Sequence, residues 1–469
     1  MKRLGPLVLL VALALVAAGC EWPHHRGGPA STGVSTDEVL LSVGNVAGLE
    51  RVATRTRPQG LGLSPTVVVA GGRVFDGAGA WDEAMVEGCS GTPRTCAPLW
   101  TFAPDGGIAL GPVTVADGRV YRATRKVDPY DSSFRPWAGR LEAYDAAGVE
   151  GCSGSPKVCQ PVWTGQVPTS FPGWSATFGP ALGAPTVADG RVYVTSLAAD
   201  PGLYVFDAAG EDGCVADDGG TPRCVPLFGS IPVLSGTTPS VADGKVFVVN
   251  EGVPDGTIPD SGSGALMAFD ADGVDGCSGT PVVCQPEWQV PVGGRPSSLP
   301  DSSWMSTVPV VDGRVYAGVR GELLVAAADC DTGGAVCEPS WSTLVTNWDQ
   351  NQGAAIAVVG ERILAPRGGL VGVYDVPSCR WKPGSCGTNA VLAGPGGAYQ
   401  HTAITVANGV VYASTTHGVA AFDLSLLAGC VPTEGGPTCF PLWQEALVDA
   451  GMPVVVNGRL YVGDGVFAL

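Results

Sequence analysis

Apolar positions along this chain come in short bursts, never at a sustained helical period, and the bursts repeat. One phrase recurs four times: "PVTVADGRVY" (112–121), "PTVADGRVYV" (185–194), "PSVADGKVFV" (239–248) and "PVVDGRVYAG" (309–318). Looser copies stand at 67–75, 357–365, 404–412 and 453–461, making eight. Each sets β-branched and aromatic residues on both sides of an Asp-Gly, Asn-Gly or similar pair. Such a pair turns tightly because both of its residues accept a positive φ, so each copy predicts two antiparallel strands, A and B.

A third strand, C, follows as "GRLEAYDAAG" (139–148), "GLYVFDAAG" (202–210), "GALMAFDADG" (264–273) or "GVAAFDLS" (418–425). Five copies place an Asp seven residues before a cysteine: Asp82, Asp145, Asp207, Asp270 and Asp423. A turn-capping role is the reading, with calcium ligation as the alternative. A fourth strand, D, carries Trp100, Trp163, Trp288, Trp341 or Trp443, each at one place in the unit and so read as a packing anchor. Four-stranded units of about 50 to 70 residues without helical periods predict an all-β, eight-bladed β-propeller of antiparallel blades. The last unit ends without a D strand, so "GLERVATRT" (48–56) is expected to close the ring beside it and remove an open edge.

Between C and D the chain repeatedly writes a cysteine pair, as in "GCSGTPRTC", "GCSGSPKVC" and "GCSGTPVVC". Of 15 cysteines, 14 form close pairs: Cys89 with Cys96, Cys152 with Cys159, Cys214 with Cys224, Cys277 with Cys284, Cys330 with Cys337, Cys379 with Cys386, and Cys430 with Cys439. Zinc wants C-x2-4-C spacing or nearby imidazoles, and redox catalysis favours C-x-x-C; neither spacing occurs, and there are only 4 histidines. Local disulfides stapling a hairpin in seven blades are the expectation for an exported chain.

Export is suggested by the opening "MKRLGPLVLLVALALVAAGC": a basic start, an apolar run and small residues before Cys20. It resembles a bacterial lipobox, with Ala17 where Leu is usual, and implies lipidation of Cys20; a plain cleaved secretion signal is the alternative. The expected organisation is a signal at 1–19, anchor and lead-in at 20–47, and the propeller at 48–469. The formal charge of −18 becomes −20 once Lys2 and Arg3 leave with the signal, which repels nucleic acid.

The P-x-V-x-D-G-x-V-Y phrase, the following A-F-D-A-x-G and a Trp-bearing strand resemble the repeat of pyrroloquinoline quinone (PQQ)-type propellers. That group includes quinoprotein alcohol dehydrogenases and outer-membrane assembly lipoproteins of the BamB kind. The lead-in "EWPHHRGGPASTGVSTDEVLLSVGNVAGL" (21–49) is similar to the group's as well. For the dehydrogenases the resemblance implies PQQ and calcium near the axis, usually beneath an adjacent-cysteine disulfide. No Cys-Cys dipeptide, C-x-x-C-H haem motif or G-x-S-x-G context occurs here.

In propellers the A–B and C–D turns share one face, and the B–C and D–A connections share the other. Here the first face is monotonous and the second is irregular and aromatic. Its insertions carry Arg135, Trp137, Trp174, Arg295, Trp304, Trp348 and His401, which are the ligand-binding candidates; the alternative is that these loops merely pack over the ring. The resulting expectation is a non-enzymatic, monomeric scaffold without cofactor or metal. It would be lipid-anchored at the extracytoplasmic face of a bacterial membrane and hold a protein or cell-envelope polysaccharide. The alternatives are a PQQ- and calcium-dependent dehydrogenase, and a glycan reader stacking sugars on Trp137, Trp174 and Trp304.

Overall fold

The computed structural model describes residues 21–469 except 59–65, 104–107, 110, 128–135, 168–181, 197–200, 217–219, 234–236, 251–263, 293–306, 320–321, 331–335, 345–354, 368–369, 377–388, 394–402, 416, 435 and 448–449. Eight sheets follow one another around a ring. Blade 2 shows the scheme: A (Thr114–Ala116), B (Arg119–Val127), C (Pro136–Asp145) and D (Trp163–Gln166) pair in order, all antiparallel. Its A–B turn is the expected one, with Asp117 at φ 48° and Gly118 at φ 72°. The ring closes as anticipated: Glu50–Arg55 lies antiparallel to Gly465–Ala468 and serves as strand D of blade 8.

Six of the cysteine pairs are disulfides, five of them across two-stranded hairpins, and the seventh, Cys379 with Cys386, lies outside the described residues. The turn-capping role of the aspartates holds. Asp145 accepts from the backbone N–H of Val149 and Glu150, both at 2.8 Å, and Asp82, Asp207, Asp270 and Asp423 accept from the matching pairs.

The stapled hairpin does more than decorate a rim. Lys157–Cys159, from the C–D connection of blade 2, lies parallel to strand D of blade 1 (Trp100–Phe102). The same backward step joins Pro222–Cys224 to blade 2, Val283–Cys284 to blade 3 (Phe228–Ser230), Thr438–Cys439 to blade 6 (Ala390–Leu392) and Arg94–Cys96 to the closing strand. A parallel bridge between Gln289 and Val336 does so for blade 4. In blades 1, 2, 3, 6 and 8 the sheet thereby gains two strands and its outer edge is sealed by its successor.

Packing follows the same step. Trp100, Trp163 and Trp288 are fully buried, and the indole N–H of Trp163 and Trp288 donates to the Ala208 and Ala328 carbonyls of the next blade. Gly148, at φ +66° in the turn of blade 2, lies over Trp100; a Cβ there would stand 2.3 Å from the indole. The D aromatic, the following turn glycine and the hairpin thus form one interface between successive blades.

Candidate functional site

The lead-in, read from sequence as a simple approach to the first strand, instead threads the axis. Strand A is innermost, and in seven of the eight copies one valine directs its backbone at the hub. Trp22 exchanges two hydrogen bonds with Val69 of blade 1. The N–H groups of Val115, Val241, Val310, Val358 and Val406 donate to the carbonyls of Pro23, Pro29, Ala30, Thr32 and Gly33. In blade 3 the His24 Nε2 bonds the Val187 carbonyl at 3.0 Å, and in blade 8 Gly458 N donates to Glu38 at 2.9 Å. One extended segment therefore touches every blade and plugs the axis. It enters at the A–B turn face, where Glu21 accepts from Gly71 N, and leaves on that face at Glu38.

The plug completes a belt of bonds between blades. One residue before the hub valine, Thr114, Thr186 and Thr405 each donate a hydroxyl to the Pro185, Pro239 and Pro453 carbonyl of the next blade. Blades 5 and 6 have Pro309 and Ala357 at that position and cannot donate. The corresponding carbonyls, of Ile356 and Ile404, are taken by the guanidinium of fully buried Arg26. Burial lowers Arg26 to about 9, which still leaves it charged at neutral pH.

Beside it the hub is polar. His25 is buried with no hydrogen-bond partner for either ring nitrogen among the described residues, and burial followed by the Arg26 charge lowers it to about 3. The buried hydroxyls of Ser31, Thr238, Ser240 and Thr307 also lack partners among the described residues. The backbone ladder brings them to one side of the hub, since Val241 and Val310 bond the adjacent Pro29 and Ala30. Thr238 and Thr307 stand at the loop-face end of the inner strands of blades 4 and 5. Such a band can bond water or a neutral hydroxyl or amide group entering along the axis.

Other buried charges are paired, one set across blades 8 and 1 and another within blade 2. Asp76 accepts from Arg55 at 3.1 Å, Arg57 at 2.9 Å and Ala78 N at 2.7 Å. Tyr144 donates to Glu142 at 2.8 Å, with Arg122 at 3.5 Å. Burial raises the Glu142 carboxyl, and Arg122 partly offsets this. Among the described residues no three His, Cys, Asp or Glu side chains converge on a metal-sized site.

Of the sequence-predicted binding residues, Trp137 belongs by its backbone to strand C of blade 2. Arg135, Trp174, Arg295, Trp304, Trp348 and His401 lie outside the described residues, as does Cys20. The hub residues His24, His25, Arg26, Ser31, Thr238, Ser240 and Thr307 were missed. Their signals were a His-His-Arg run in a histidine-poor chain and a hydroxyl residue just before the hub valine.

No protein-family model matches the chain, and no curated protein sequence does. Among solved structures it is similar to Hsv2 of Kluyveromyces lactis, at 9% identity over 85% of this chain and 98% of that one, with a TM-score of 0.39. It is also similar to a functionally unknown protein of Desulfotomaculum acetoxidans, at 9% identity over 73% and 87%, with a TM-score of 0.40. Likeness of this degree carries no argument about ligand or activity. From its own geometry the chain is an all-β, eight-bladed propeller with a self-plugged axis.

Proposed function

We propose that this chain is a non-enzymatic, lipid-anchored binding or scaffold propeller of the PQQ-like kind, acting as a monomer on the extracytoplasmic side of a bacterial membrane. It presents its loop face to a protein or cell-envelope ligand. The observation that carries the reading is the entry point of the plug. Glu21 is bonded to the A–B turn of blade 1, so a lipid on the preceding Cys20 would hold the turn face toward the membrane. The irregular loops and the hydroxyl band at the hub would then face away from the bilayer, where a partner is met.

A quinone with calcium at the axis does not fit the described residues. The turn-face end of the axis is filled by the segment from Trp22 to Val34, and Arg26 is committed to the Ile356 and Ile404 carbonyls.

Two measurements test the proposal. Cys20→Ser should move the protein from the membrane to the soluble extracytoplasmic fraction and abolish labelling by an alkyne fatty acid. A photoreactive residue at Trp137 should crosslink a partner in native membranes, whereas one at Asp189 in a turn should not. Unchanged membrane retention, crosslinks from the turn face alone, or dye reduction on alcohols with added PQQ and calcium would refute it.

A further inference from the structure

The backward step of the hairpins has no counterpart at blade 7 among the described residues. Blade 8 takes its D strand from Glu50–Arg55, so no C–D connection of blade 8 reaches back to strand D of blade 7 (Trp443–Ala446). That strand ends its sheet. Elsewhere the same outer side is bonded: Gly229 and Ile231 donate to Val282 and Cys284, Ala103 to Cys159, and Ala393 to Cys439. By register the corresponding outward groups of blade 7 are the N–H of Gln444 and of Ala446, both exposed residues. A second observation agrees. Trp100, Trp163, Trp288 and Trp341 are at most 6% exposed, whereas Trp443 is only half-buried. Its indole bonds the Leu49 carbonyl of the lead-in, at 2.9 Å, in place of a turn from the next blade.

We propose that Trp443–Ala446 is a strand-addition site for an extended, net-basic segment of a partner protein, which enters parallel to it in the register of the chain's own hairpins. The interface already exists in repeated copies within this molecule, so its geometry is set: one residue opposite Trp443, the next opposite Gln444, the third opposite Glu445. The hairpin strands that fill this place on blades 8, 1 and 2 carry Arg94, Lys157 and Arg223. The vacant edge presents Glu445, 38% exposed and paired with Arg51, on a chain of net charge −18. Two copies of the strand would oppose like charges, so the chemistry favours a basic partner over self-association.

The probe is a fluorescein-labelled, disulfide-closed peptide of residues 151–161, GCSGSPKVCQP, titrated into the full chain and followed by anisotropy. Saturable one-to-one binding is expected. Ala446→Pro should weaken it by roughly tenfold, the loss of one outward donor. That variant folds, because blade 4 has Pro291 at the same register position, and its melting temperature should equal that of the parent. Replacing the peptide's lysine by glutamate should weaken binding as well. Absence of saturable binding, equal binding to the Ala446→Pro chain, or a dimer in sedimentation that Ala446→Pro dissolves would overturn the assignment.

Discussion

Arg26 performs at two blades what a threonine hydroxyl performs at three others. Its replacement by Met should leave the Ile356 and Ile404 carbonyls buried without donors and cost about 2 to 4 kcal/mol in chemical denaturation. Gly33→Ala should mimic part of this, since its φ is +71° and a Cβ would stand 2.0 Å from the guanidinium. The two histidines set the acid response. Burial lowers His24 to about 4, against an opposing bond to the Val187 carbonyl, and lowers His25 to about 3. Both values lie below the unfolded value near 6.5, so the unfolded chain takes up protons first. Stability is therefore fully present above that pH and falls as pH drops toward 4, by up to about 2.7 kcal/mol per pH unit. His25→Leu should roughly halve that slope in urea titrations at pH 6 and 5. Asp145 enters only lower: partial burial raises its carboxyl, but the N–H groups of Glu150, Val149 and Ala147 outweigh this and hold it below the usual aspartate value.

The strands and turns were legible because their causes are local. Asp117 and Gly118 suit a tight turn wherever they sit, and Asp145 reaches N–H groups only four and five residues away. Asp145→Ala should therefore cost about 1 to 2 kcal/mol without changing the fold. The hairpin's pairing was not legible. "GCSGSPKVC" has too little apolar pattern to say which strand it joins, and its partner Trp100–Phe102 lies in another blade. The consequence is measurable. Replacing Cys152 and Cys159 together by Ser should lower stability by about 2 to 3 kcal/mol. Hydrogen exchange should quicken at Ala103, whose amide bonds the Cys159 carbonyl, more than within strands A to C of blade 2.

At the scale of the whole ring, stability is a chain of nearest-neighbour interfaces closed by Glu50–Arg55 and pinned at the centre by the plug. Removing residues 21–45 while keeping the closing strand should expose the amides of Val115, Val241, Val310, Val358 and Val406. Their exchange protection should fall together, while the buried D-strand indoles keep their fluorescence. The sequence by itself determined the repeat, the blade count, the closing strand, the staples and the tryptophan anchors, since each depends on residues close along the chain or on a count of units. It also marked Trp137, Trp174, Trp304 and their neighbours as irregular. Only the tertiary structure decided that His24 and Arg26 fill the hub, that the described hairpins reach backward, and that Trp443–Ala446 ends its sheet. Those outcomes depend on which polar backbone groups remain unbonded once eight sheets surround an axis, and no local pattern encodes that accounting.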